Sequence, residues 1–476
     1  MSIASDHGEL ESHLLPTLPF FLALRQKLWE VTLAFLVSLV LLAQPASAEW
    51  KEKVLYSFQG VPDGAVPAGG VVFDKAGNLY GATLDGGSSS CDGPDQCGTV
   101  YELSLPAKRG DPWTETVLYV FKGHAQNDGA SPEGGIVMDA AGNLYGTTGY
   151  GGNGPCTLLG GAVGCGTVYE LSPPARQGDP WTETVLYSFQ GGNDGYVASG
   201  DLVFDKAGNL YGATLFGGGK GTTCDSLYGG QCGTVFKLSP PKQKGGKWTE
   251  KVLHRFGGGT DGANPNGDLV LDDKDAVYGT TPIGGNQLCN FGHGNVGCGI
   301  VFRLSPMTTR RPTWAENVIH RFTDKDGAGP NGGLIFDTKG RLYGTTGGGG
   351  SALDGVVFRL VPGKGGQWTE VMLYTFKGGS DGDGPGCCLV FDHAGNIYGT
   401  AFGGLPGKGT VYKLEPRAGN GGWAFFLIHA FAGPPDGAYP ATGLIFDAGG
   451  IYSTTQGGGT GQECQGGCGA VFRVAP

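Results

Sequence analysis

The chain has 476 residues, of which 94 are glycine and only 16% are charged, with a formal net charge of −11. With 24 Phe and 18 Tyr to build a core, this composition excludes a disordered, charge-rich chain and points to a turn-rich all-β protein. Acidic and basic residues are interspersed, so there is no basic stripe for a phosphate backbone and nucleic acid is not expected as a partner.

Residues 1–48 read as an export signal with a long front end. Arg25 and Lys27 precede an apolar run at 31–42, and Ala46, Ser47 and Ala48 offer small residues for cleavage. The run is shorter than the ~20 residues a spanning helix needs. The expectation is a mature chain of residues 49–476, secreted or periplasmic, with no membrane span after cleavage.

From residue 49 onward the chain repeats. LVFDKAGNLYGAT at 202–214 has counterparts beginning at Val71, Ile136, Leu269, Leu334, Leu389 and Leu444. Each copy follows an Asp-Gly pair, precedes a Gly-rich loop, and is closed by a strand of the type GTVFKL. Trp50, Trp113, Trp181, Trp248, Trp314, Trp368 and Trp423 open a further strand in each interval, such as WTETVLYSF. Each interval thus holds four strands by β-branched and aromatic content; in the third repeat they are 181–189, 202–205, 209–214 and 233–239. The turn between the second and third of these is an Asp-x-x-Gly hairpin, in which Asp205 accepts from backbone N–H groups ahead of it and Gly208 supplies positive φ. The fourth copy, Asp272 to Asp275, lacks that glycine.

Four-stranded units that are apolar on both faces must pack on one another, and radial stacking gives a seven-bladed β-propeller. The first strand, 50–58, is of the outermost type and the last, 469–474, of the third type. The N-terminal strand is therefore expected to complete the last blade and close the ring. DGANP at 261–265, GNLYGTT at 142–148 and GTVFKLSP at 233–240 resemble the GloVer tandem repeat of secreted bacterial proteins, over the whole chain after residue 49. The resemblance implies a repeat protein of no established activity, so it assigns no catalytic residue. The family's C-terminal sorting anchors have no counterpart before Pro476.

Twelve cysteines fall in six close pairs, which fits an oxidising compartment. Five lie in or at the end of Gly-rich loops and are expected as disulfides: Cys91 with Cys97, Cys156 with Cys165, Cys224 with Cys232, Cys289 with Cys298, and Cys464 with Cys468. Their spacing, without recurring histidines, does not suit zinc. Cys387 and Cys388 are adjacent at the head of an innermost strand, either as a ring disulfide, as a free and functional thiol pair, or as small residues filling the space other repeats leave to glycine.

Asp201 and Asp268 head two neighbouring inner strands at one register. They could hold Ca²⁺, the one cofactor the sequence suggests, or act as acid and base, or simply cap a turn. The Asp-Gly pairs at Asp63, Asp128, Asp194, Asp261, Asp326, Asp381 and Asp436 recur in every repeat and read as structural. His254, His320 and His429 stand where other repeats have Tyr and read as core or edge residues, whereas His293 lies inside a cysteine-closed loop. No nucleotide loop, serine elbow or metal helix is present.

The expected function is a monomeric extracellular binding or scaffold protein for a glycan or protein. Its ligand would dock on the face carrying the disulfide loops, where Asp201, Asp268, His293, Cys387 and Cys388 map, beside a low sector formed by the short loops 347–355 and 403–409. The alternative is an extracytoplasmic carbohydrate-active enzyme, a lyase or hydrolase, working at the channel mouth.

Overall fold

The computed structural model describes residues 49–476 apart from 89–96, 109, 158–160, 162, 177, 220–231, 244, 286–288, 290–296, 308–312, 406, 420–421, 441 and 448. The expected export signal and His293 lie outside the described residues, as do Cys91, Cys224 and Lys244. No helix among the described residues is long and apolar enough to cross a membrane.

Seven four-stranded antiparallel meanders form the blades of a β-propeller. In blade five, for example, the strands run from the inner Ile335–Phe336 through Leu342–Thr346 and Val356–Pro362 to the outer Trp368–Thr375. Every residue of Leu342–Thr346 is buried, because the second strand is covered on both faces by neighbouring blades. The ring closes as the terminal strands predict. Lys51–Ser57 pairs antiparallel with Ala470–Ala475, Glu52 opposite Val474 and Val54 opposite Phe472, so strands from both ends of the chain share blade seven.

One aromatic contact recurs at every blade boundary. The Phe that ends an outer strand meets an aromatic residue on the third strand of the next blade: Phe58 with Tyr101, Phe189 with Phe236, Phe322 with Phe358, and Phe431 with Phe472, all with centroids 5.0–5.1 Å apart. Such edge-on pairs contribute about 0.5–1.5 kcal/mol each beyond area burial. The glycine of the LYG motif makes room for them. A Cβ at Gly146 would lie 2.3 Å from the Tyr169 hydroxyl and one at Gly212 2.6 Å from the Phe236 ring. A second contact runs the other way, with Trp181, Trp248 and Trp368 tilted onto Tyr80, Tyr145 and Tyr278 of the preceding blade.

The Asp-x-x-Gly hairpins form as expected. Asp205 Oδ1 accepts from the N–H groups of Ala207 and Asn209, both at 2.9 Å, and Gly208 has φ 81°. In blade four Asp275 takes the glycine's place at φ 59°, a conformation Asp tolerates better than most residues. One strand boundary differs from expectation. The inner strand of blade three is Tyr196–Phe204 and starts six residues before Leu202. Tyr196 to Ser199 pair with residues 213–216, and the register shifts between Ser199 and Val203. Gly195 precedes the strand and Gly200 lies within it, where the bulge falls.

Candidate functional site: the loop face and channel mouth

The two ends of the ring are distinct. On one face the Gly-rich loops bond to the Asp-Gly connections, as in Gly87 N–H to Asp63 O (2.6 Å), Gly152 N–H to Asp128 O (2.7 Å) and Gly459 N–H to Asp436 O (2.7 Å). On the other, the hairpins meet the turns after the third strands, as in Leu105 N–H to Asn78 Oδ1 at 3.0 Å.

Each Asp of the Asp-Gly pairs has a job that the sequence reading missed. It receives the hydroxyl or imidazole of the preceding outer strand: Tyr56 to Asp63 (3.0 Å), Tyr119 to Asp128 (2.7 Å), Tyr187 to Asp194 (2.9 Å) and Tyr374 to Asp381 (2.7 Å). His254, His320 and His429 make the same contact with Asp261, Asp326 and Asp436 at 3.1, 3.4 and 3.2 Å. These aspartates are structural, as expected, and the histidines are their partners. The signal available in the sequence was a Tyr or His seven residues before the Asp in five repeats, nine before it at Tyr119 and six before it at His320. Burial pushes the Asp326 carboxyl up, but hydrogen bonds from His320 and the Thr323 N–H outweigh it and hold it below the usual value.

Beside these pairs, the outer strands carry six glutamates: Glu52, Glu115, Glu183, Glu250, Glu316 and Glu370. Each has a buried carboxyl oxygen without a hydrogen-bond partner. Burial pushes each up to about 7, and a neighbouring Asp adds to the shift at every one. In blade six Phe425 replaces the glutamate and stacks on Tyr374 at 4.7 Å.

The heads of the inner strands line a channel mouth of about 230 Å³. Gly135 N–H donates to Asp201 Oδ1. Asp201 N–H in turn donates to Asp268 Oδ1 at 2.7 Å, and Asp268 Oδ2 lies 2.7 Å from Cys388 Sγ and 3.4 Å from Cys387 Sγ. The structure thus brings together four of the expected site residues, Asp201, Asp268, Cys387 and Cys388, across blades three, four and six. Burial raises both Asp201 and Asp268 above the usual carboxylate range, with the charge of Asp268 adding to the shift at Asp201. Burial also pushes Glu133, on the same wall, up to about 7. Ser199, 7% exposed, and Asn266 present oxygens with no partner here.

As ligands for Ca²⁺, Asp201 and Asp268 each already spend one oxygen on a neighbouring blade's N–H. At the mouth, Asp268 and the two cysteines bring ligand-type atoms within 4.8 Å of one another, as Glu52, His429 and Asp436 do elsewhere. Cys387 and Cys388 are joined to each other in a disulfide, and a disulfide offers no thiolate to a metal. Cys156–Cys165, Cys289–Cys298 and Cys464–Cys468 are bonded as expected. Cys97 and Cys232 are also disulfide-bonded.

At the low sector the loop face exposes apolar side chains. Leu353, Phe402 and Leu405 are 63%, 44% and 68% exposed. They surround one connection: Gly384 N–H bonds to Asp354 O (3.0 Å), Phe402 N–H to Gly384 O (3.1 Å) and Leu405 N–H to Gly379 O (2.6 Å). Phe402 stacks on Tyr439 with centroids 5.0 Å apart, and Lys408 Nζ lies over the Tyr439 ring at 5.0 Å.

Residues 288–476 match the model of the Gloeobacter/Verrucomicrobia repeat. That stretch is similar to this repeat family. In three dimensions each Trp-to-Trp interval gives its first strand to the outer edge of one blade and its other three to the next, with the LVFD-type strand innermost. No curated protein matches the chain. Among solved structures, a polysaccharide lyase, an ulvan lyase bound to -[GlcA(1-4)Rha3S]-, is 11% identical with a TM-score of 0.52, over 89% of this chain and 96% of that one. A fungal alcohol oxidase in complex with copper is 16% identical with a TM-score of 0.51, over 90% of this chain and 76% of that one. At these identities the likeness is one of fold, and a propeller hosts many functions.

Proposed function

We propose that this repeat propeller is an extracellular binding protein whose ligand, a glycan, docks on the loop face across blades five to seven. The observation that carries the reading is the exposed platform of Leu353, Phe402 and Leu405, with Tyr439 behind it. Apolar and aromatic side chains held on short, braced loops offer a flat surface to a sugar ring at little entropic cost. Only two residues separate Gly384, at the centre of the platform, from Cys387 at the channel mouth. Asp201, Asp268, Cys387 and Cys388 then form the polar floor beside the platform, and the free oxygens of Ser199 and Asn266 add hydrogen-bonding capacity. The disulfides, and the export leader expected from the sequence, support an extracytoplasmic setting for this binding.

One observation favours the enzyme alternative. Glu133 and Asp201 are raised carboxyls in a concave site, as general acids require. Against it, no Arg, Lys or His is among the described residues lining the mouth, so no cationic side chain there would stabilise a developing anion. Glycan-array binding by residues 49–476, followed by product analysis on any glycan bound, separates the two. Retention of intact glycan that is lost in Phe402→Ala supports binding; release of cleaved product that is lost in Asp201→Asn supports the enzyme.

A further inference from the structure

On the opposite face, between the hairpins of blades five and six, lies a groove of about 1010 Å³. Its chemistry follows from one departure in the repeat. The residue four after the hairpin Asp is Asn78, Asn143, Asn209 or Asn396 in blades one, two, three and six, where its amide bonds back to that Asp. In blade five it is Arg341, whose Nε takes the Asp337 carboxylate.

A second cation stands beside it. On the third strand, the residue opposite the hairpin tyrosine is Lys237 in blade three and Arg303 in blade four, and each pairs with its own hairpin Asp, at 3.4 Å to Asp205 and 3.6 Å to Asp272. In blade six Lys413 pairs with Glu415 at 3.4 Å, and in blade seven Arg473 bonds the Gly449 carbonyl. The blade-five equivalent is Arg359, opposite Tyr343. With Asp337 taken by Arg341, no carboxylate lies within ion-pair distance of Arg359 among the described residues, whereas Arg303 has one; the buried Nε of Arg359, like those of Arg303 and Arg473, has no hydrogen-bond partner. Arg359 lines the groove together with Arg341, the exposed Arg417 and His393, and the half-buried Trp423; two carboxylates line it too, Asp337, which Arg341 pairs, and Asp392, which its own hairpin's N–H groups and Asn396 hold, so the three guanidiniums outnumber them.

The geometry points to this groove as a binding site for an oxyanion-bearing glycan, with Arg359 and Arg417 holding a carboxylate or sulfate group and Trp423 beside the sugar ring. A guanidinium half-removed from water without a counter-charge is costly to hold, and a planar oxyanion supplies the two-pronged partner it lacks. A site of this sign on a chain of net charge −11 selects for anionic groups locally while the rest of the surface repels them. The site is independent of the loop face and rests on none of the residues proposed there.

The test uses residues 49–476 with polygalacturonate as the carboxylate probe, dextran sulfate as the sulfate probe and neutral dextran as control, with affinity read by calorimetry at low and moderate salt. The expected result is binding to at least one acidic polymer, weakened by salt and absent for dextran; which polymer binds identifies the oxyanion. Arg359→Ala with Arg417→Ala should weaken it at least tenfold. Arg341→Asn, which restores the residue blades one, two, three and six carry, frees Asp337 to neutralise Arg359 and should also weaken binding, without disturbing the fold. Phe402→Ala should leave it unchanged. No binding to either acidic polymer, or binding that both arginine variants retain in full, overturns the proposal.

Discussion

His254 Nε2 lies 3.1 Å from Asp261 Oδ1, in the place where Tyr187 donates to Asp194 at 2.9 Å. Two different side chains do one task, tying the end of an outer strand to the Asp-Gly turn that leads into the next blade. His254→Tyr should therefore be close to neutral. Asp261→Ala removes the acceptor for His254 and for the Gly257 N–H, which bonds to it at 2.6 Å, and should cost about 1.5–3 kcal/mol, as hydrogen bonds to charged groups do. Denaturant midpoints of the two variants check this, and equal destabilisation by both would contradict it.

The six outer-strand glutamates give stability an unusual pH dependence. Their carboxyls are pushed by burial from an ordinary 4.5 to about 7. A raised carboxyl contributes stability that is full below its unfolded value and is lost as pH rises through the folded one. Asp205, Asp326, Asp337, Asp392 and Asp436 have the opposite sign: hydrogen bonds to the carboxylate outweigh burial and hold them below 3.8. Their contribution is lost as pH falls through those lower values. Stability should peak at about pH 4–5 and decline towards pH 8. Glu183→Gln with Glu316→Gln should flatten the decline. A melting temperature that rises from pH 5 to 8 would refute the assignment.

The cystines of the loop face brace short loops. Replacing Cys156 and Cys165 by Ser together should cost at most about 2–3 kcal/mol, because the bond closes a short loop, and should leave the propeller cooperative. Peptide mapping without reduction should recover Cys464 linked to Cys468 and Cys156 linked to Cys165. Linkages between different loops would contradict the pairing.

Deleting residues 49–58 removes the strand that pairs with Ala470–Ala475 and the Phe58 side chain that packs on Tyr101. The truncated protein should lose cooperative unfolding, since the open edge would run the length of blade seven. An unchanged melting temperature would mean that the ring does not depend on this closure.

What the sequence made legible was whatever is repeated. The blade count, the Asp-x-x-Gly turns and the closing strand are each written several times over, so Asp275 in place of glycine does not obscure the pattern. Less legible were contacts between blades. The Tyr187–Asp194 pair looks like two unrelated structural residues until the chain folds back, and nothing in the strand around Glu183 marks it as buried beside Asp128 of the connection that leaves the preceding blade. Features carried by one blade alone were missed. Phe402 and Leu405 lie in a loop that the sequence marks only as short, and the effect of Arg341 on Arg359 depends on a register across two strands that spacing does not reveal. Asp201, Asp268, Cys387 and Cys388 meet at the channel mouth because each stands at the head of an inner strand, a position that the repeat alignment shows. The bulge that lets Tyr196–Phe204 run as one strand is a glycine-containing irregularity that composition reads as loop.

The most direct test of the binding account is the affinity of residues 49–476 for the glycan selected on an array, compared across four variants. Phe402→Ala with Leu405→Ala should weaken binding at least tenfold, and Asp201→Asn with Asp268→Asn should weaken it as well, while Lys242→Ala on the hairpin face leaves it unchanged and Glu133→Gln produces no change in the integrity of the bound glycan. Full affinity in both loop-face double variants, with binding lost in Lys242→Ala, would contradict the account.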